Sequence, residues 1–275
     1  MERKNLLVDG KNQGHATMNR IFAPMALLCL CILAAPGLGF ASGSDVIGTF
    51  ADYRYTPESG DVNGLELRIV PVSGGYQGIL QVFDGEPLEL ALVNVAIDGS
   101  RISFSFESVS GYPLRFQGNF VAEGIRGTLN GDGWDKPEPY FLKRGTGSVI
   151  WDRLLPDASG MNVEPEIVLP GTYAEIGVSP DGGLRGMELY IVNTQKGPQA
   201  VLQRFDGAPG RPVLADLDTH GTRFAFSFTD ERDGRRWTFL GMASRERVVA
   251  ELRVKGAKES TIHILPRQKA AFGGS

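Results

Sequence analysis

Cysteine, histidine and long apolar runs are all scarce in this chain, and each scarcity excludes something. Its two cysteines, Cys29 and Cys31, both lie in the one continuous apolar stretch, Met25 to Ala35. Eleven apolar residues bracketed by Pro24 and Pro36 are too few to span a bilayer and fit the core of a secretory signal. Arg20 supplies the positive charge ahead of it, and Gly39-Phe40-Ala41 supplies small residues for cleavage after Ala41. Residues 1–41 therefore read as a signal peptide, with Met18 an alternative start to Met1; a retained N-terminal anchor is the other reading. Cleavage removes both cysteines, so no disulfide, thiol chemistry or cysteine metal site is expected in the mature chain. Neither cysteine follows the small residue that a lipoprotein site needs. An exported chain held by its cores alone suggests a bacterial periplasm, or secretion.

Positive charge is not in excess. The chain carries a formal net charge of −4, and removal of residues 1–41 with their net +2 leaves −6. A mildly acidic protein has no electrostatic reason to seek nucleic acid or anionic lipid, and no membrane span remains after cleavage. Of three histidines only His220 and His263 fall in the mature chain, too few to found a metal site without converging carboxylates. Nucleophile elbows, phosphate loops and dinucleotide fingerprints are missing from the sequence. No cofactor, metal or enzymatic activity is expected.

What the chain does have is itself, twice. Gly48-Thr49-Phe50-Ala51 returns as Gly171-Thr172-Tyr173-Ala174, and Gly64-Leu65-Glu66-Leu67 as Gly186-Met187-Glu188-Leu189. Leu80-Gln81-Val82-Phe83-Asp84-Gly85 returns as Leu202-Gln203-Arg204-Phe205-Asp206-Gly207. The offset is 122 or 123 residues throughout, which marks a tandem duplication of about a hundred residues, the size of a small domain. The expected organisation is residues 1–41 signal peptide, 42–144 first domain, 145–170 linker, 171–267 second domain and 268–275 disordered tail. Trp151 and its aliphatic neighbours in the linker are expected to pack on one domain or between the two.

Each copy reads as β throughout. Arg101-Ile102-Ser103-Phe104-Ser105-Phe106 alternates with the period of a half-buried strand, and Phe224, Phe226 and Phe228 repeat its phase. Asp-Gly, Ser-Gly and Asn-Gly turns interrupt at short intervals. Strands are expected at about 48–56, 64–72, 76–83, 88–97, 101–107, 113–121, 124–130 and 138–144. In the second copy they fall at about 171–179, 186–193, 198–205, 212–219, 222–229, 235–242, 247–254 and 259–266. Eight meandering antiparallel strands per copy can close into an up-and-down barrel, which removes exposed sheet edges. A pair of β-sandwiches is the alternative.

Each copy opens on Gly-Thr-aromatic (Gly48-Thr49-Phe50; Gly171-Thr172-Tyr173) and ends on Arg144 or Arg267. In this it resembles the calycin, or lipocalin-like, barrel family, with Phe or Tyr where that family carries Trp. The resemblance implies two tandem eight-stranded barrels, each closed by an arginine on the opening aromatic: Arg144 on Phe50, and Arg267 on Tyr173. It also implies small hydrophobic ligands.

Gln81 and Gln203 are the candidate ligand anchors. Each sits between apolar same-face neighbours, Ile79 and Phe83 or Val201 and Phe205, and that phase points both amides inward beside Phe83 and Phe205. A buried amide must find partners, either a ligand or the protein's own polar groups. Glu66 and Glu188 fall on the outward face with Arg68 or Tyr190, where cross-strand pairing accounts for them. Two functions follow: an exported non-enzymatic carrier of a small apolar molecule, or, with filled barrels, a structural, inhibitory or protein-binding module of the cell envelope.

Overall fold

The structure, a computed structural model, describes residues 46–145 and 169–268. The expected signal peptide, the alternative start at Met18, most of the linker with Trp151, and the tail after Gln268 lie outside the described residues. Among the described residues the regular structure is β.

The first half runs β1 (Gly48–Thr56), β2 (Asp61–Val72), β3 (Gly75–Pro87), β4 (Ala91–Asn94), β5 (Ala96–Asp98), β6 (Arg101–Glu107), β7 (Pro113–Val121), β8 (Gly124–Gly131) and β9 (Glu138–Arg144). They form one antiparallel sheet in the order β4-β3-β2-β1-β9-β8-β7-β6-β5. The two edge strands are consecutive in sequence, with only Val95 between them, so the sheet curls until its edges nearly meet. Val95 is itself buried against the interior. The expected strand at 88–97 is thus two short ones, which makes nine where eight were expected.

The second half repeats the path as β10 (Gly171–Val178), β11 (Leu184–Thr194), β12 (Gly197–Pro209), β13 (Val213–Asp216), β14 (Asp218–His220), β15 (Arg223–Thr229), β16 (Arg236–Ala243), β17 (Arg247–Val254) and β18 (Ser260–Pro266). Here the ladder is broken into a four-stranded sheet, β10-β11-β12-β13, and a five-stranded one, β14-β15-β16-β17-β18. The difference from two closed eight-stranded barrels has a local cause. In the first half β1 and β9 pair through Phe50↔Arg144 and Ala51↔Lys143, continued by Gly145 N–H to Thr49 O at 3.1 Å. In the second, Gln268 N–H reaches Thr172 O at 2.8 Å, but the position of Lys143 is taken by Pro266, which has no N–H to give. A single bridge, Tyr173↔Arg267, is left to join the two sheets.

Each half has its own interior. Phe50, Leu65, Leu67, Ile69, Phe104 and Phe116 anchor the first; Tyr173, Leu189, Phe226, Phe239, Leu252 and Leu265 anchor the second. Phe104 stacks on Phe116 at 4.9 Å and Phe226 on Phe239 at 4.7 Å. Interior strand positions facing these rings are glycine because nothing larger fits. A methyl group at Gly127 would stand 2.6 Å from the Phe116 ring, and one at Gly241 would stand 2.2 Å from the Phe224 ring. At Gly78 it would meet Val93, Leu67 and Val95 within 2.9 Å. Gly64 and Gly186 are required for another reason: both have positive φ (140° and 119°), and a side chain there would collide with the carbonyl oxygen of Asp52 or Glu175.

Candidate functional site

β3 and β12 are apolar on both faces, and that pattern means both faces are covered. Leu80 and Val82 turn into the first interior, while Ile79 turns outward. Ile79 joins Val70, Leu90, Val192 and Val201 in a third buried cluster, contributed by both halves. The outer faces of β2–β3 and β11–β12 therefore pack on each other.

Gln81 and Gln203 lie in this contact. Gln81 Nε2 donates to Leu88 O at 3.1 Å and, across the contact, to Asn193 O at 3.3 Å. Gln203 Nε2 donates to Gly210 O at 2.8 Å and, across the contact, to Pro71 O at 2.6 Å. Each partner of one glutamine lies 122 residues from a partner of the other. Ser73 N–H to Pro209 O at 3.1 Å and Gln195 N–H to Pro87 O at 2.9 Å repeat the relation. These are the reciprocal contacts of a two-fold interface, here made within one chain. The symmetry lapses where chemistry forbids it. Leu90 N–H donates to Gln199 Oε1 at 2.8 Å, but the residue equivalent to Leu90 is Pro212, which has no N–H.

The inward orientation expected for the two glutamines is thus corrected. The phase was misassigned because an outer face buried by the other half looks, in sequence, like an inner one. Phe83 and Phe205 share that face: Phe83 packs edge-on to Tyr53 at 5.0 Å, and Phe205 is buried. Val82, which the same phase set toward solvent, packs on the first interior. Its counterpart Arg204 lies over the Trp237 ring at 4.5 Å and bonds Asp230 at 2.5 Å. Arg232 also bonds Asp230, and with this second guanidinium holds its carboxyl down to about 2.

Where the pseudo-two-fold axis passes, equivalent positions face each other, and Arg68 lies 4.8 Å over the ring of Tyr190. Arg68 donates to Glu188 at 2.7 Å and to Thr172 at 2.9 Å; Tyr190 donates to Glu66 at 2.7 Å. Glu66 is 4% exposed and also accepts the Tyr53 hydroxyl. Burial, reinforced by the Glu66 charge, pushes both tyrosines well above the usual phenol range. They are held as neutral donors to a buried carboxylate and cannot serve as bases near neutral pH. Alternation puts Glu66 and Glu188 on the outward face with Arg68 and Tyr190, but it does not show that these residues pair across the halves. The doubly apolar runs of β3 and β12 were the available signal.

The remaining candidate residues are spread out. Arg144 lies 4.6 Å over Phe50, and Arg267 lies 5.4 Å over Tyr173 and bonds Pro170 O. His220 is exposed beside Asp218, and His263 lies 3.9 Å from Glu175, its pKa lowered by burial. Among the described residues no cluster of His, Cys, Asp and Glu forms a metal-ligand set. A surface trough of about 640 Å³ crosses the outer face of β5–β8. Its backbone floor includes Gly118 and Gly127, and its walls are Arg101, Ser103, Gln117, Asn119, Arg126 and Thr128.

No protein-family model and no curated protein matches the chain. It is similar at 12% identity to a protein of unknown function from the DUF3598 family of Nostoc punctiforme, over 82% of this chain and 97% of that one, with a TM-score of 0.22. It is also similar at 12% identity to a putative 6-phosphogluconolactonase from Bacteroides uniformis, over 81% and 82%, with a TM-score of 0.14. At those scores neither likeness transfers an activity.

Proposed function

We propose that the chain is a tandem duplication of a lipocalin-like barrel whose copies keep, within one polypeptide, the contact of a two-fold dimer. We propose further that it is an exported, non-enzymatic interaction module of the bacterial envelope with filled interiors. The reciprocal bonds of Gln81 and Gln203 support the duplication. The observation that carries the functional reading is the packing at the interior glycines, where the phenylalanine rings leave no space for one methyl group. A carrier of small apolar molecules needs interior volume and an unspent polar anchor. Both donors of each glutamine are spent on main-chain carbonyls.

Recognition then falls to the outer sheet faces. The trough on β5–β8 sets amide, hydroxyl, guanidinium and carboxylate groups beside apolar surface from Ala96, Ile97 and the glycine backbone, a mixture that suits a protein surface.

The test is a photo-crosslinking amino acid placed at Asn119 in the trough, with Glu58 on the exposed β1–β2 turn as control, in cells that export the protein. A discrete adduct with an envelope component from Asn119 and none from Glu58 is the expected result. No adduct from either position, or the same adducts from both, would overturn the reading.

A further inference from the structure

The outer faces of the two halves have diverged at equivalent positions. On β7, β8 and β9 the cross-strand rows read Asn119–Arg126–Phe141 and Gln117–Thr128–Pro139. On β16, β17 and β18 the same rows read Met242–Val249–Ile264 and Leu240–Glu251–Ile262. Leu240, Met242, Ile262 and Ile264 are exposed by 39, 50, 64 and 47%. The first half folds with mostly polar groups there, so the fold does not require this aliphatic centre. Arginines surround it. Register and alternation put Arg247 and Arg253 at either end of β17, Arg236 at the start of β16 and Arg223 beside Met242. Three of these four stand where the first half has Pro113, Gly124 and Asn130.

Charge and side-chain type together identify the occupant. The acids of this face on β14 to β18 are Glu251, which takes the Arg253 guanidinium at 2.6 Å, and Asp218, 4.0 Å from His220. Four arginines against two carboxylates leave the face positive. The turns on either side of β17 do not reverse the sign: Arg245 and Glu246 cancel, and Lys255 and Lys258 outnumber Glu259. The net charge of −4 on the whole chain gives no reason to expect anionic lipid, because it averages over a face of opposite sign. Two copies of a positive face repel each other. The apolar groups are aliphatic, whereas the anchors of protein interfaces are enriched in Trp and Tyr. An anionic bilayer answers both features at once, with phosphates for the guanidiniums and hydrocarbon for the aliphatic centre. Long arginine stems reach past an inserted apolar patch to the headgroups. We infer that this face docks on an anionic phospholipid surface. Leu240, Met242, Ile262 and Ile264 enter the headgroup–acyl boundary, and Arg223, Arg236 and Arg247 take the phosphates.

Co-sedimentation with vesicles tests this, using the protein exported to a bacterial periplasm and purified. The vesicles hold phosphatidylcholine alone, or with about one-third phosphatidylglycerol. The expected result is binding to the phosphatidylglycerol vesicles only, weakened as salt rises to about 0.5 M. Arg223→Gln combined with Arg247→Gln should weaken binding by more than about tenfold. Leu240→Gln combined with Met242→Asn, which installs the residues of the first half, should weaken it as much. Arg115→Gln with Lys136→Gln, the same charge change on the first half, should leave it unchanged. Should the variants fail to fold, peroxide oxidation of Met242 in the wild type replaces them, and must slow only with vesicles containing phosphatidylglycerol. A wild type that binds neither vesicle or both equally would overturn the inference, as would binding that survives in either folded variant or falls as far in the control. So would a wild-type dimer abolished by Leu240→Gln with Met242→Asn, which would assign the face to a second copy. A crosslink from position 242 to an acidic protein, without vesicle binding, would assign it to that protein and overturn the inference too.

Discussion

Replacing Gln203 with leucine removes one amide whose two N–H groups tie a carbonyl of each half, Pro71 O and Gly210 O. Leucine has nearly the volume of glutamine, so no cavity opens and the loss is one of hydrogen bonds. Two buried carbonyls lose their donor, at about 1–1.5 kcal/mol each, and the Gln203→Leu chain should be less stable by about 2–3 kcal/mol. For 150–250 ordered residues 1 kcal/mol is worth about 2–4 °C, so Tm should fall by roughly 4–12 °C. Thermal unfolding followed by circular dichroism reads this directly. Gln81→Leu should act similarly, because its bonds are the symmetry counterparts. A change in Tm below about 1 °C for both variants would refute the reasoning. It would mean that the amides are not spent across the contact and are free for another partner.

Tyr190→Phe removes one donor from the buried Glu66 and should cost about 1.5–3 kcal/mol in urea unfolding; Glu66→Gln in the same chain should recover part of that loss. Asp230 has its pKa held down to about 2 by the Arg232 contact, below an ordinary value of 3.8. Its stabilising effect is therefore complete above about pH 4 and disappears as pH falls through about 2. Acid-unfolding curves of wild type and Asp230→Asn should accordingly converge over that window, with wild type the more stable above it. Gly241→Ala drives a methyl group to within 2.2 Å of the Phe224 ring and should destabilise by about 1–3 kcal/mol in the same urea unfolding, whereas alanine at Gly177, which has open space and no positive φ, should leave stability nearly unchanged.

The strands were legible because turn residues punctuate the sequence. β1, β6, β7 and β9 occupy the expected spans, whereas β3 and β12 run on through Asp84-Gly85 and Asp206-Gly207, pairs that the sequence marks as turns. The inner faces of β2 and β11 were legible too, since Leu65, Leu67 and Ile69, and Met187, Leu189 and Ile191, alternate with polar or bulkier neighbours. Alternation fails where both faces are buried. In β3 the run Ile79-Leu80-Gln81-Val82-Phe83 carries apolar residues on each face, and only contact with the other half shows which face holds Gln81. Single residues decided the other departures. Val95 and Leu217 each divide an expected strand in two, and Pro266 withholds one ladder hydrogen bond, leaving the second half as two sheets. The pairing of Arg68 with Tyr190 and Glu188 was illegible for a geometric reason: a contact between two halves leaves no mark in either half alone.

The most direct test of the central claim, filled interiors with their glutamines committed to the contact between halves, is native mass spectrometry of the protein exported to a bacterial periplasm and purified without added ligand. The account predicts the mass of the polypeptide and nothing more. A reproducible extra mass of a few hundred daltons, lost in Gln81→Leu or Gln203→Leu, would contradict it and make the protein a carrier.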